Sequence, residues 1–205
     1  MPQPLDYLKE TPSQTAGPYV HIGLAPGAAG FEIFHNQLGA DIAGPDAAGE
    51  RISIEGRVLD GTGTAVKDVL IETWQANAAG IHAHPADPRH GEVEPGFRGW
   101  GRVVSDFETG RFVIETVKPG AVAGPGGRPM APHISLWIVA RGINLGLQTR
   151  ICFADEPEAN AACPVLGLIE QAHRRETLLA EPAGPGAYRF DVHLQGERET
   201  VFFDI

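Results

Sequence analysis

His133 and Ser135 occupy a position in the sequence where chemistry could be done. They stand in the stretch Met-Ala-Pro-His-Ile-Ser-Leu-Trp at 130–137, and a strand places residues i and i+2 on one face. A His-x-His pair there would aim two imidazoles at a single ion. Here the second position is a serine, whose hydroxyl is a poor transition-metal ligand beside imidazole or phenolate. His82 and His84 repeat the i, i+2 spacing upstream. Three imidazoles can hold zinc, so a self-standing metalloenzyme built on His82, His84 and His133 is one reading. Against it, His82 and His84 lie in a Pro-rich loop, where solvated histidines are ordinary. His21, His35, His90, His173 and His193 show no partner pattern and read as surface or interface residues.

The elements that must position these residues are strands. Residues 51–59 alternate apolar with polar, and Asp60, Gly61 and Gly63 make a turn before a second strand at 69–75. A long irregular segment follows at 76–99 and carries His82 and His84; such loops are uncommon in compact domains and often functional. Further strands are predicted at 101–104, 111–116, 133–140, 148–153, 187–194 and 200–203. Between the strands at 148–153 and 187–194, Pro164 and apolar residues at helical spacing predict one or two short helices within 164–179. Many short strands joined by turns argue an all-β fold, a β-sandwich of short, mostly antiparallel strands. Residues 1–30 show neither period and read as an extended N-terminal arm against a partner chain, with 31–205 as the sandwich domain. Tyr19, Val20, Ile22 and Leu24 support the arm, since a solvated tail has little use for them. Trp74, Trp100 and Trp137 fall in strand-like segments and read as core or interface anchors.

Composition narrows the function. Twenty-six glycines and seventeen prolines in 205 residues suit strands and turns. A net charge of −10 argues against nucleic acid as partner, and no basic amphipathic stretch suggests a membrane surface. No apolar run reaches the ~20 residues of a membrane span. The N-terminal residues show neither the basic nor the apolar region of a signal peptide. Cys152 and Cys163 are too few for a disulfide framework; Cys152 sits in an apolar run and reads as a small core residue. Cytoplasmic location is the expectation. A β-sandwich binding module with no enzyme partner is a further alternative.

Longer blocks carry a more specific signal. They are Thr-Pro-Ser-Gln-Thr-Ala-Gly-Pro-Tyr at 11–19, Ile-Glu-Thr-Trp-Gln-Ala-Asn-Ala-Ala-Gly at 71–80 and Phe-Arg-Gly-Trp-Gly-Arg at 97–102. Lys118-Pro119-Gly120 joins Ala131-Pro132-His133, and Tyr-Arg-Phe-Asp at 188–191 precedes Gln195-Gly196-Glu197 and Thr-Val-Phe-Phe-Asp at 200–204. Across nearly the whole chain this pattern resembles the intradiol ring-cleaving dioxygenases, non-heme Fe(III) enzymes that open catechols between the two hydroxyls.

The resemblance implies an iron held by two tyrosines and two histidines. The tyrosine positions fall on His82 and Val122, and the histidine positions on His133 and Ser135; one of the four keeps its residue. A supporting arginine three residues before the first histidine falls on Met130. This pattern is that of the alpha type of chain, in members built from homologous alpha and beta chains with Fe(III) in the beta chain. The implied role is a subunit that binds no metal, is inactive alone and completes the beta-chain cavity in an obligate hetero-oligomer. In that cavity O2 and a dihydroxybenzoate react. The resemblance brings Arg141, after the strand of His133, to the neighbouring cavity, where a guanidinium suits the substrate carboxylate. Thr15, Gly17, Pro18 and Tyr19 would line the cavity mouth. Without the resemblance, Arg141 reads as a solvated or salt-bridged strand-end arginine, and 15–19 as a turn.

Overall fold

The computed structural model describes residue 12 and residues 14–204. The first eleven residues of the expected arm therefore lie outside the described residues.

The strands are β1 (Arg51–Leu59), β2 (Leu70–Gln75), β3 (Trp100–Val104), β4 (Arg111–Val117), β5 (Val122–Ala123), β6 (Pro129–Met130), β7 (His133–Val139), β8 (Leu147–Phe153), β9 (Leu179–Gly184), β10 (Ala187–Arg189) and β11 (Val192–His193). The helices are α1 (Pro18–Leu24), α2 (Pro157–Ala162) and α3 (Ala172–Glu176). One hydrogen-bonded path runs β11-β1-β10-β9-β8-β7-β2-β3, with β4 added on β1, and β5 and β6 form a separate pair. The path is a mixed sheet: β1 is parallel to β10 and β11, β8 is parallel to β9, and the other pairs are antiparallel.

Period-two alternation decides what faces where. In β7, Ile134, Leu136 and Ile138 are fully buried, while His133, Ser135, Trp137 and Val139 are half-buried on the other face. The inward residues of β1 and β4 (Ile52, Ile54, Phe112, Ile114) join those of β7 and β8 in one continuous apolar core. This is the β-sandwich expected. A smaller cluster of Cys152, Cys163, Leu166 and Leu178 lies under the C-terminal helices. Burial pushes the Cys152 thiol up to about 12, which fits a small core residue.

Several local expectations are corrected. The arm is not extended throughout: α1 forms with Pro18 at its start, where a missing amide hydrogen costs nothing. The short helices expected within 164–179 are present as α3 and a 3-10 turn at Leu166–Leu168, but Pro164 opens neither, and it is Pro157 that starts α2. The predicted strand at 187–194 breaks in two. Gly56 on β1 lies against the Phe190 carbonyl, and the Asp191 carboxylate takes the Arg57 amide in place of a backbone acceptor. Residues 200–203 form only a single bridge, Phe203 to Gln148. β9 was hidden by Pro182, which a ladder interior excludes. The strand tolerates it because pairing with β8 ends at Ala180.

Two loops interlock beneath the candidate site. The Gly80 backbone has φ +72, and a Cβ there would lie 2.0 Å from the Ala121 carbonyl oxygen. A Cβ on Gly120 would lie 2.5 Å from the Ala78 carbonyl, and the Gly120 amide donates to the Asn77 carbonyl at 2.9 Å. Gly80→Ala is expected to cost about 2–4 kcal/mol, from left-handed backbone strain plus overlap with rigid main chain. Thermal unfolding should show a fall of roughly 4–16 °C in Tm. Gly91→Ala, with nothing within 4 Å of the added methyl, should stay within about 0.5 kcal/mol of the parent.

Candidate functional site

The outer face of the sheet carries the chemistry-bearing residues in cross-strand rows. Trp100, Trp74, Ser135 and Arg150 stand opposite one another across β3, β2, β7 and β8. In the next row stand Arg102, Glu72, Trp137 and Gln148. All three tryptophans are half-buried on this face.

The loop after β2 brings His82 over the first row. Asn77 shapes that loop, its Oδ1 accepting from the Ile81 amide at 2.9 Å and its Nδ2 donating to Glu94 at 2.7 Å. The His82 ring stacks on Trp74 with centroids 5.7 Å apart and planes 9° apart. His82, His84, Trp74, Asp87, Arg89 and Val122 line a cleft of about 390 Å³. The structure places the positions that the resemblance marks for ligands in two pairs: His82 and Val122 share the cleft, and His133 and Ser135 share one face of β7.

Those residues do not fit an iron centre. Val122 is an apolar side chain, 7% exposed, and Ser135 offers a hydroxyl. Burial, with the Arg150 guanidinium adding to it, pushes His133 down to about 4, and its Nδ1 faces the Ala131 carbonyl at 2.8 Å. Burial also lowers His82, partly offset by Asp87. His84 Nδ1 accepts from the Ala86 amide at 3.1 Å, so the loop histidines are engaged locally. Among the described residues no group of three or more His, Cys, Asp or Glu side chains is placed to hold a metal. Arg150 adds a positive charge directly across from Ser135. Its Nε has no hydrogen-bond partner among the described residues, and its guanidinium lies 5.1 Å from the Phe203 ring. A cation bound beside it would be repelled.

Lys118 anchors the loop of Val122. Its Nζ lies 2.9 Å from Asp155 Oδ2 and 2.9 Å from Glu156 Oε1, and 5.3 Å from the centre of the Phe153 ring. Tyr188 donates its hydroxyl to Asp155 Oδ2 at 2.8 Å. Burial disfavours the ammonium, but Glu156, Asp155 and Tyr188 outweigh it and raise the Lys118 pKa.

A second group gathers at the far end of β7, a seven-residue strand about 20 Å long. Arg141 follows it, with its side chain 73% exposed and its Nε 3.2 Å from Asp68 Oδ2. The next amide, Gly142, donates to Thr15 Oγ1 at 3.0 Å. The structure therefore places Thr15 beside Arg141, while Gly17, Pro18 and Tyr19 continue into α1. Tyr19 is 85% exposed. Arg102 ties α1 down by donating to the Leu24 carbonyl at 2.8 Å while gripping Glu72 at 2.7 Å. His21, read from the sequence as a surface or interface residue, is buried at 6% and meets the Phe107 ring edge at 5.4 Å. Burial lowers its pKa, opposed by the Asp68 charge. Arg150 and Asp68 carried no signal in the sequence; each acquires meaning only from its cross-strand or cross-loop neighbour.

The family description "Dioxygenase" matches residues 30–196. The chain belongs to the dioxygenase family. Among dioxygenase relatives, the protocatechuate 3,4-dioxygenase alpha chain of Pseudomonas putida is 51% identical over 204 residues, 98% of this chain and 99% of that one. The alpha chain from Burkholderia cepacia is 44% identical over 203 residues, 97% of this chain and 98% of that one. The beta chain from Burkholderia cepacia is 35% identical over 161 residues, 74% of this chain and 67% of that one. Solved dioxygenases share the fold. Hydroxyquinol 1,2-dioxygenase from Pseudomonas putida DLL-E4 superposes with TM-score 0.57 at 18% identity, covering 86% of this chain and 72% of that one. Catechol 1,2-dioxygenase from Acinetobacter sp. ADP1 gives 0.55 at 21%, covering 75% and 55%. No helix among the described residues is long and apolar enough to cross a membrane.

The Lys118 cage generates a test with a definite sign. The raised Lys118 contributes stability fully present below the ordinary value of 10.5 and lost as pH rises through its raised value. Asp155, where burial opposes but Lys118 and Tyr188 prevail, is lowered from 3.8. Its contribution is present above 3.8 and lost as pH falls through the lowered value. Charged hydrogen bonds are worth about 1.5–3 kcal/mol, discounted for the 38% and 35% exposure of the two carboxylates. Lys118→Met should therefore cost about 1–2 kcal/mol in denaturant titration between roughly pH 5 and 9. The gap to the parent should narrow below about pH 4.

Proposed function

We propose that the chain is the alpha subunit of a protocatechuate 3,4-dioxygenase, completing the active-site cavity of a homologous beta chain. The observation that carries this reading is the division along β7. One end holds the positions of the family metal site with His133 alone of the four ligand types kept, and the other holds an exposed arginine with Thr15 beside it. The full-length likeness to alpha chains of that enzyme supports it. So does the likeness to a beta chain from a species that also has an alpha chain. The iron belongs to the beta chain in this reading and supplies Lewis-acid stabilisation of the deprotonated catechol. The assembled enzyme then cleaves protocatechuate with O2 to 3-carboxy-cis,cis-muconate.

This chain supplies shape, water exclusion and one charge. Arg141 meets the substrate carboxylate at the end of the ring away from the two hydroxyls. Thr15 and the turn Gly17-Pro18-Tyr19 line the mouth. The exposed apolar side chains Tyr19, Ile33, Phe34 and Leu38 (85%, 63%, 49% and 59%) are covered by the beta chain, since such a run is unusual on a free surface. Cytoplasmic residence fits the two buried free thiols.

The lone chain should carry no stoichiometric iron and no visible tyrosinate-to-iron band. One iron per purified lone chain, with such a band, would sink the assignment. In the assembled enzyme, Arg141→Ala removes a charged contact of about 1.5–3 kcal/mol. The KM for protocatechuate should rise roughly ten- to a hundredfold, with catechol, which lacks the carboxylate, little affected. Steady-state kinetics on both substrates reads the difference. Equal losses would make Arg141 an interface residue.

A further inference from the structure

We propose that Asp68 is a positioning residue for Arg141, holding the guanidinium where it can receive the substrate carboxylate; this rests on the reading of Arg141 given above. Arg141 by itself is badly placed for recognition. Its side chain is 73% exposed, it follows the end of β7, and the next residue is a glycine at φ +86. A long, solvated side chain on such a turn samples many rotamers, and each must be given up when a ligand binds.

Asp68 is the opposite kind of residue. Its side chain is 26% exposed, and its backbone is fixed by its neighbour. The Val69 amide donates to Ser105 Oγ at 3.0 Å, and the Ser105 amide returns a bond to the Val69 carbonyl at 2.9 Å. Val69 itself is fully buried in the main core. A carboxylate so anchored is a fixed point for a mobile cation. The contact is made at Nε, the guanidinium nitrogen nearest the backbone, and the two terminal amino groups have no ion-pair or hydrogen-bond partner among the described residues. A planar fork held by its inner nitrogen keeps its outer edge available for a second carboxylate.

The other groups around Asp68 leave this role to it. His21 packs close enough to feel its charge, but burial lowers the His21 pKa, so the imidazole is neutral at pH 7 and does not compete for the carboxylate. Thr15 takes the amide of Gly142, fixing the main chain on one side of Arg141 while Asp68 fixes the side chain on the other. The arm's Thr15 thus closes the turn that carries Arg141, and His21 of α1 lies within range of the Asp68 charge.

A negative charge beside Arg141 has a cost, because it weakens the potential offered to an anionic substrate. Placement and attenuation therefore predict opposite signs, which makes Asp68→Asn decisive. The experiment is steady-state kinetics of the assembled alpha–beta enzyme with protocatechuate and with catechol. The variants are Asp68→Asn, Asp68→Glu, Arg141→Ala and the Asp68→Asn/Arg141→Ala pair, each first confirmed as assembled by size. The expected result is a roughly three- to tenfold rise in the KM for protocatechuate in Asp68→Asn, with kcat and the constants for catechol unchanged. Asp68→Glu should recover part of the loss, and Asp68→Asn should add nothing in the Arg141→Ala background. An unchanged or lowered KM in Asp68→Asn, with the Arg141→Ala loss intact, overturns the positioning role alone. Equal losses on both substrates, or additivity in the pair, make Asp68 a structural residue. If Arg141→Ala itself shows no protocatechuate-specific loss, the reading of Arg141 fails and the role of Asp68 falls with it.

Discussion

The register of β7 is the constraint on which the rest of the molecule depends. This strand is paired on both sides, with β2 and with β8, over most of its length. Its alternation sends Ile134, Leu136 and Ile138 into the core and His133, Ser135 and Trp137 outward. A slip of one residue would exchange the two sets, exposing three large apolar side chains and burying a histidine and a serine. Because the core cannot accept that exchange, the outer rows of tryptophans, Glu72 and Arg150 are fixed as a by-product. The same strand also sets the distance between the stripped cleft at its start and Arg141 beyond its end.

The two ends of β7 are electrostatically different. At the cleft end burial lowers the pKa of His82 and of His133, and a guanidinium with no carboxylate partner among the described residues sits across from Ser135. At the other end, a guanidinium pairs with a carboxylate and still leaves most of its surface to solvent. The first arrangement suits a filled interior, and the second suits contact with something outside the chain. Between them, Arg102 links the sheet to the arm by holding Glu72 and the Leu24 carbonyl at once.

What the sequence makes legible follows from how local each determinant is. The strands at 51–59 and 69–75 are visible because alternation and the Asp60 turn are both written in neighbouring residues; Asp60 Oδ1 indeed accepts from Thr62 and Thr64. β9 is not visible, since Pro182 contradicts a strand locally and only the early end of its pairing with β8 excuses it. The break at Phe190 needs knowledge of Gly56 on another strand. The candidate residues behave alike. His82, Val122, His133 and Ser135 could be named from blocks of sequence, and so could Arg141 and Thr15. Asp68 and Arg150 could not, because each matters through a partner about 70 residues or one strand away, reached only by folding.

Arg150 has a consequence for building a metal site in this chain. It is not at a position that the resemblance marks for a ligand, so His82→Tyr, Val122→Tyr and Ser135→His would supply the ligand types and leave it in place. The new histidine would lie across the ladder from a fixed guanidinium, whose charge already helps hold His133 near pKa 4. An incoming trivalent ion would meet that charge as well. A metal site in this chain therefore requires a substitution at Arg150, outside the ligand positions, before any ligand change gains an advantage.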